Sequence, residues 1–232
     1  MPIRRAVNFL PILSCLTAFC TTPGYASPLD SYADETPTEF NFYLSRQKSI
    51  LDNTRPDVGT TTEWVGFSFF SRLNSKIEGG LFLGYSFASQ ENAALTAGMN
   101  LSGAHLGMAL RIPLIEQPDL RVSLDSHYVY QNVDDNIGAQ SVRLVWHTYD
   151  IGLSIAKHLT PLFGIYGGIL YGSADGTETA SGTLSQTRSF KSNPDAEGIA
   201  GIFINSGPDG SIGVYAHSGL RDGIDLVFTR RY

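Results

Sequence analysis

The residues of this chain that could do chemistry are a few histidines and carboxylates set among apolar segments. Asp125 and His127 are two positions apart, and in a β-strand this spacing places both side chains on one face. An Asp–His pair of this kind can orient a catalytic base. His217 is followed directly by Ser218, a base next to a nucleophile. Neighbouring strand residues point to opposite faces, however, so a hydrogen bond between these two side chains is difficult.

The same charged residues have a structural interpretation. Arg121 shares the face of Asp125 and His127, and no serine or cysteine nucleophile is tied to that pair by the sequence. We therefore predict a polar network inside the fold, in which charges of both signs pair. Its predicted members are Glu78, Arg111, Arg121, Asp125, His127 and Asp150. A metal site from His105, His127 and Asp125 has no diagnostic spacing, and we predict no metal, no cofactor and no catalytic residue.

Composition and motifs exclude several classes of protein. The sequence contains no phosphate-binding loop, dinucleotide fingerprint, zinc-binding helix or EF-hand loop. A net charge of -6 spread along the chain argues against nucleic acid, which needs a basic patch. Hydrophobic residues make up 42% and charged residues 16% of the chain, which is not typical of a disordered protein. After residue 27 no apolar run reaches the roughly 18 residues that a transmembrane helix needs.

Residues 1–26 have the three parts of a signal peptide: two arginines, an apolar stretch, and small residues at both recognition positions of Gly24-Tyr25-Ala26. We predict cleavage after that tripeptide. Both cysteines, Cys15 and Cys20, would be removed, so the mature chain would have no thiol or disulfide chemistry. The alternative is a lipidated Cys15, which would require a very short apolar region. The polar residues 27–39 are predicted to be a periplasmic lead-in.

From residue 40 onward, apolar and polar residues alternate between clusters of turn residues, a pattern that predicts β-strands. The clearest strand has leucine, valine and tyrosine on one face and Arg121, Ser123, Asp125 and His127 on the other. Ten strands are predicted, with eight as the alternative because the first is irregular. They cover 40–44, 61–73, 78–88, 104–112, 120–130, 149–155, 163–171, 196–205, 212–216 and 224–232.

The predicted connections alternate between short and long. Short turns are predicted near 74–76, 113–118, 158–161 and 206–210. The other connections are predicted near 52–59, 89–103, 131–147, 173–195 and 220–222, and four of these five are longer. An up-and-down membrane barrel has short periplasmic turns at one end and longer external loops at the other, so this alternation favours such a barrel.

The last predicted strand has an apolar row that ends on an aromatic residue. The row consists of Ile224, Leu226, Phe228 and Tyr232, while Asp225, Val227, Thr229 and Arg231 lie on the opposite face. Arg230 falls in the apolar row near its end, where a long cation can reach lipid headgroups. By this row and its strand pattern, the chain resembles the small outer-membrane β-barrel proteins of Gram-negative bacteria, a broad porin-like superfamily.

The resemblance implies an all-β fold: a closed antiparallel up-and-down transmembrane β-barrel over residues 40–232, in the outer membrane. It also implies contact with outer-membrane lipids, including lipopolysaccharide, and recognition of the terminal strand by the outer-membrane assembly machinery. A soluble β-sandwich remains the alternative fold, because periodicity alone does not say which face is the core. In a narrow barrel the charged lumen residues would pair and plug the interior.

Three functions stay open at this stage. The leading expectation is an integral outer-membrane barrel with a structural or narrow porin-like role and no catalysis. The second is a lipid-modifying enzyme centred on His217, because the His217-Ser218 pair is similar to that of the lipid A deacylase barrels. In that family one residue separates the two, so the adjacent pair of this chain departs from the pattern. The third is surface binding or adhesion through the loops at 89–103, 131–147 and 173–195.

Overall fold

The computed structural model describes residues 38–232 except 53, 56, 57 and 208. The predicted signal peptide and nearly all of the predicted lead-in lie outside these residues. The strands are β1 (Glu39–Ser49), β2 (Thr60–Asn74), β3 (Ile77–Gln90), β4 (Leu101–Gln117), β5 (Leu120–Ile137), β6 (Gln140–His158), β7 (Phe163–Ser181), β8 (Gln186–Lys191), β9 (Asp195–Gly207), β10 (Gly210–Gly219) and β11 (Arg221–Arg231). A 3-10 helix spans Ala94–Thr96. Within the described ranges, no helix is long and apolar enough to cross a membrane.

Ten of these strands close into an antiparallel barrel, which confirms the predicted fold class and strand number. Each barrel strand pairs with its neighbours in chain order, and β7 pairs with both β6 and β9. The seam is made by β1 and β11, which pair from Glu39–Arg231 to Ser49–Arg221. The additional strand β8 pairs with β7 beyond the point where β9 leaves it. Every barrel strand therefore has two partners, so the sheet has no free edge along the barrel wall.

The outward faces of the barrel strands carry large exposed apolar side chains, and this excludes the soluble β-sandwich. A soluble protein rarely exposes apolar patches of more than a few hundred Å². An outward apolar band around a barrel is the surface that a membrane-spanning barrel presents to lipid. Examples from all around the wall are Phe40, Phe67, Leu81, Leu83, Leu106, Met108, Ile151, Leu153, Ile165, Ile169, Ile202, Ile204, Ile212, Val214 and Ile224.

Inside the barrel, large rings lie against inward-facing glycines. A Cβ atom built on Gly164 would lie 2.1 Å from Cζ of Phe203, and one on Gly213 would lie 2.2 Å from the hydroxyl of Tyr215. Neither distance is compatible with a side chain. These two inward glycines therefore make the room that the rings occupy.

The two ends of the barrel differ. We call the end where β1 begins and β11 ends the terminal end; the turns that follow Asn74, Gln117, His158 and Gly207 lie there and are short. We call the opposite end the loop end. The predicted turn at 113–118 is wrong, because β4 continues to Gln117 through an irregularity between Pro113 and Ile115. Proline is tolerated at such a bulge because the ladder hydrogen bond is already interrupted there.

At the loop end, two predicted external loops are wrong. Most of 131–147 belongs to β5 and β6, which are joined by a turn at Gly138 and Ala139. Much of 173–195 belongs to the end of β7 and to β8. The strands β5, β6 and β7 have 18, 19 and 19 residues, whereas β10 has 10. A membrane needs about 9–11 residues of strand, so these three strands continue beyond it.

A group of apolar side chains at the loop end forms a buried cluster that we call the outer plug. Trp146 and Leu144 are 2% and 1% exposed, and Val133, Val142 and Leu101 are fully buried. The cluster lies in the interior of the barrel above its polar middle section. The members of the outer plug are Leu51, Ala88, Met99, Leu101, Val133, Val142, Leu144, Trp146, Ala174, Ala180 and Phe190.

Candidate functional site

The lumen below the outer plug holds a cavity of about 310 Å³. It extends from Glu39 and Arg231 at the terminal end to Gln47 and Trp64 below the plug. Its wall combines charged side chains with the rings of tyrosines, phenylalanines, histidines and a tryptophan. This mixture of apolar walls with a few convergent polar groups is typical of small-molecule pockets.

Four of the six predicted lumen residues form one ionic network near the terminal end. Arg111 contacts Asp125 at 3.0 Å and Glu78 at 3.4 Å, and Arg121 contacts Glu78 at 2.5 Å. Asp125 also accepts a hydrogen bond from the hydroxyl of Ser154. The pairs Arg72–Glu116 and Glu39–Arg231 lie at the same end, at 3.1 and 3.3 Å. Charges of opposite sign are thus paired across several strands.

The other two predicted residues, His127 and Asp150, belong to a second network that we call the mid-lumen network. Nδ1 of His127 lies 2.6 Å from Asp150, whose other oxygen is 3.0 Å from Arg221. Arg221 also contacts Glu197 at 2.5 Å. The network continues through His217 to Asp225, which accepts a hydrogen bond from Nε2 of Gln47 at 3.3 Å.

His217 lies between two carboxylates of the mid-lumen network. Its Nδ1 is 2.7 Å from Glu197 and its Nε2 is 2.7 Å from Asp225. An ionised carboxylate only accepts, so with both carboxylates ionised both ring nitrogens donate and the ring is an imidazolium. Ser218 is exposed on the opposite face of β10, while the His217 side chain is 8% exposed within the barrel. The structure therefore does not bring this serine to His217.

Sequence reasoning missed Glu197, His217, Arg221 and Asp225 as parts of one network. Asp225 was placed correctly on the polar face of the last strand, but nothing in the sequence says what lies across the lumen from it. Arg221 falls in a predicted loop at 220–222, whereas the structure has β11 starting at that residue. One signal in the sequence could have found it. Arg221 lies four residues before Asp225, so the two side chains share a face if the strand begins at Arg221.

His105 is separate from the two ionic networks. Its Nε2 contacts the Tyr43 hydroxyl and its Nδ1 the Ser86 hydroxyl, at 2.5 and 2.8 Å. The rings of Tyr43 and Trp64 lie 5.8 and 5.6 Å from it, so these three residues make an aromatic wall. His105 does not join His127 and Asp125 in a metal cluster. Among the described residues, no group of three or more potential ligands could hold a metal ion.

A third ionic cluster fastens the β1–β2 connection to the loop end. Arg55 contacts Asp52 at 3.2 Å and Glu178 at 2.9 Å, and Asp52 also pairs with Arg188 on β8. Burial favours the neutral form of Asp52. Hydrogen bonds from Thr54 and Arg55 and the charge of Arg188 outweigh it and hold the pKa of the carboxyl below its ordinary value of 3.8.

No protein-family model matches this chain, and no curated protein matches it by sequence. Solved structures do resemble it. The translocator domain of autotransporter NalP from Neisseria meningitidis has a TM-score of 0.53 at 10% identity, covering 88% of this chain and 91% of that one. The transport unit of autotransporter AIDA-I from Escherichia coli has a TM-score of 0.50 at 12% identity, covering 87% and 91%. At such low identity the likeness concerns the fold alone: this chain has the fold of an outer-membrane β-barrel.

Proposed function

We propose that this protein is an integral outer-membrane β-barrel with a structural role, which neither conducts solutes nor catalyses a reaction. The observation that carries the proposal is the outer plug. A porin needs a continuous aqueous path, whereas here a cluster of buried apolar side chains lies across the interior at the loop end. Water does not occupy a closely packed apolar interior, so the path is interrupted.

The remaining geometry supports the same proposal. The outward apolar band suits lipid, and we propose that lipopolysaccharide and other outer-membrane lipids surround it. The row Ile224, Leu226, Phe228 and Tyr232 lies on the outer face of the seam strand β11 or directly after it, where we propose that the assembly machinery recognises it. The lipid-modifying alternative receives no support, because both ring nitrogens of His217 face carboxylates and Ser218 faces away.

Planar-bilayer conductance of the refolded protein tests the proposal. The wild type is expected to give no steady single-channel current. Replacing both Leu144 and Trp146 with Ala removes the two largest plug side chains of β6 and should produce a measurable ionic current.

The matched control replaces Ile151 and Leu153 with Ala. These residues lie on the same strand and face outward, so the lumen should stay closed in this variant. Steady channel openings in the wild type, at a level unchanged by the plug substitutions, would contradict the proposal.

A further inference from the structure

The main cavity continues into a second, very small pocket. It has a volume of about 20 Å³ and lies between the cavity and the outer plug. Gln47, Trp64 and Arg221 line both spaces, and Gln131 and Trp146 line the small pocket. Its volume suffices for one water molecule or one hydroxyl group. The two spaces together form a large chamber with a narrow polar tip.

Three residues that line the small pocket each carry a buried polar group without a hydrogen-bond partner among the described residues. These groups are Oε1 of Gln47, Oε1 of Gln131 and Nε1 of Trp64. Gln47 and Gln131 are 6% and 1% exposed. The orientation of the Gln47 amide follows from its Nε2, which donates to Asp225. Buried polar groups of native proteins are almost always paired, so these three groups point to a partner that occupies the pocket.

The chemistry of that partner follows from which polar groups of the lumen already have a hydrogen-bond or ionic partner. The three carboxylates at this depth, Asp150, Glu197 and Asp225, are neutralised or hydrogen-bonded by Arg221 and the two histidines of the mid-lumen network. Arg221, which also lines the small pocket, already binds Asp150 and Glu197. The three groups without a partner are uncharged: two acceptors and one donor. A hydroxyl group both donates and accepts, whereas an ammonium group only donates and an anion only accepts.

The wall next to the small pocket consists of rings. Trp64 lies 5.6 Å from His105, and Tyr43 lies 5.8 Å from the same ring. The chamber of about 310 Å³ is at the lower end of the range of ligand pockets, about 300–1,000 Å³, and so suits a ligand with a single ring.

We propose that the lumen is a binding site for a neutral, single-ring polyol of monosaccharide size. The ligand enters from the terminal end, lays one face against Trp64 and places a hydroxyl group in the small pocket, between Gln47, Gln131 and the indole N–H. This proposal goes beyond the structural role and relies on it only for the direction of access, since the outer plug closes the other end.

Calorimetric titration of the full chain refolded in detergent micelles tests the binding. The probes are glucose, galactose and myo-inositol, with benzyltrimethylammonium and benzoate as charged comparisons. At least one polyol should bind saturably, and neither charged probe should bind more tightly. Gln131→Met keeps the size of the side chain and removes an acceptor, and Trp64→Phe keeps a ring and removes the donor. Each should weaken polyol binding by about tenfold.

The control is Tyr130→Phe, the neighbour of Gln131 on the outer face of β5, which should leave the affinity unchanged. Three results would overturn the proposal: no saturable binding of any of the three polyols, which would mean an ordered water only; tighter binding of either charged probe; or equal affinity in the wild type and both lumen variants. This measurement is independent of conductance, so a conducting wild type that still binds a polyol would contradict the proposed function alone.

Discussion

At the scale of single residues, several rings inside the barrel pack against an inward glycine. The ring lies close to the backbone of the sheet, where a Cβ atom would collide with it. A glycine, which has no Cβ atom, leaves this space free. Phe203 against Gly164 and Tyr215 against Gly213 are the closest such pairs. The outward glycines have a different environment, because lipid rather than a packed ring lies above them.

The ring–glycine pairs predict a difference between two glycines of β7. In Gly164→Val the new side chain would collide with Phe203, so we expect a loss of about 1–3 kcal/mol in the free energy of unfolding. In Gly167→Val the nearest atom to the new Cβ is 3.6 Å away, on Ile155, so we expect little change. Denaturant titration of both variants refolded in lipid vesicles measures this, and equal losses would contradict the packing argument.

The faces of these residues could be predicted from the sequence, but their partners could not. Period-two alternation placed Asp125 and His127 in the lumen and separated His217 from Ser218. It also placed Asp225 on the inward face of the last strand. It could not show that Arg221 bridges Asp150 and Glu197, because the strands that carry these residues meet across the lumen only in the closed barrel.

At the scale of elements, β5 and β6 change character where they leave the membrane. Within the membrane their outward residues are apolar and their inward residues polar. Beyond it the arrangement is inverted: Val133, Val142 and Leu144 point inward into the outer plug, while Arg143 on the outer face bonds to Asn132. A membrane strand is predicted from apolar residues outward and polar residues inward, so a stretch with the opposite polarity is predicted as a polar loop.

The wrong loop at 131–147 did not change the strand count. A tight turn at Gly138 replaces the long loop, and its positive φ of 60° suits a residue without a Cβ atom. The predicted number of strands was therefore correct. The predicted alternation of short and long connections, on which it was based, is wrong between β5 and β6, where the connection is short. The ends of strands that project beyond a membrane are set by tertiary packing, which periodicity does not report.

The cluster around Asp52 predicts an effect of pH on the loop end. The folded-state pKa of Asp52 is lowered, so its contribution is fully present above pH 3.8, the ordinary value, and is lost as the pH falls through the folded value. Asp52→Asn should therefore speed amide hydrogen exchange at Leu51 and Val58 at pH 7. The wild type should approach the variant once the pH is below the folded pKa.

The control for this prediction is Glu91→Gln. Glu91 pairs with Lys48 at the loop end, but both side chains are more than half exposed, and exposed pairs contribute little. Exchange at Leu51 and Val58 should then match the wild type. If the two variants behaved alike at pH 7, the ionic cluster would not be what holds the β1–β2 connection.

At the scale of the whole molecule, the mid-lumen network ties the barrel together across its interior. Its members come from β1, β5, β6, β9, β10 and β11, so it joins strands that are not neighbours in the sheet. Backbone hydrogen bonds hold adjacent strands only. The buried charges therefore add contacts that closure of the sheet alone does not provide.

Arg221 is the cation on which this arrangement depends most. Its guanidinium lies between Asp150 and Glu197, whose side chains are 3% and 0% exposed. Removing one partner from a buried ion pair leaves an uncompensated charge, so Arg221→Met should lower the free energy of unfolding by about 3–5 kcal/mol. Arg46→Met removes a cation of the outer face whose side chain is 70% exposed and should cost less than about 1 kcal/mol. Denaturant titration in lipid vesicles compares the two, and a loss for Arg221→Met as small as that for Arg46→Met would show that closure of the sheet alone stabilises the barrel.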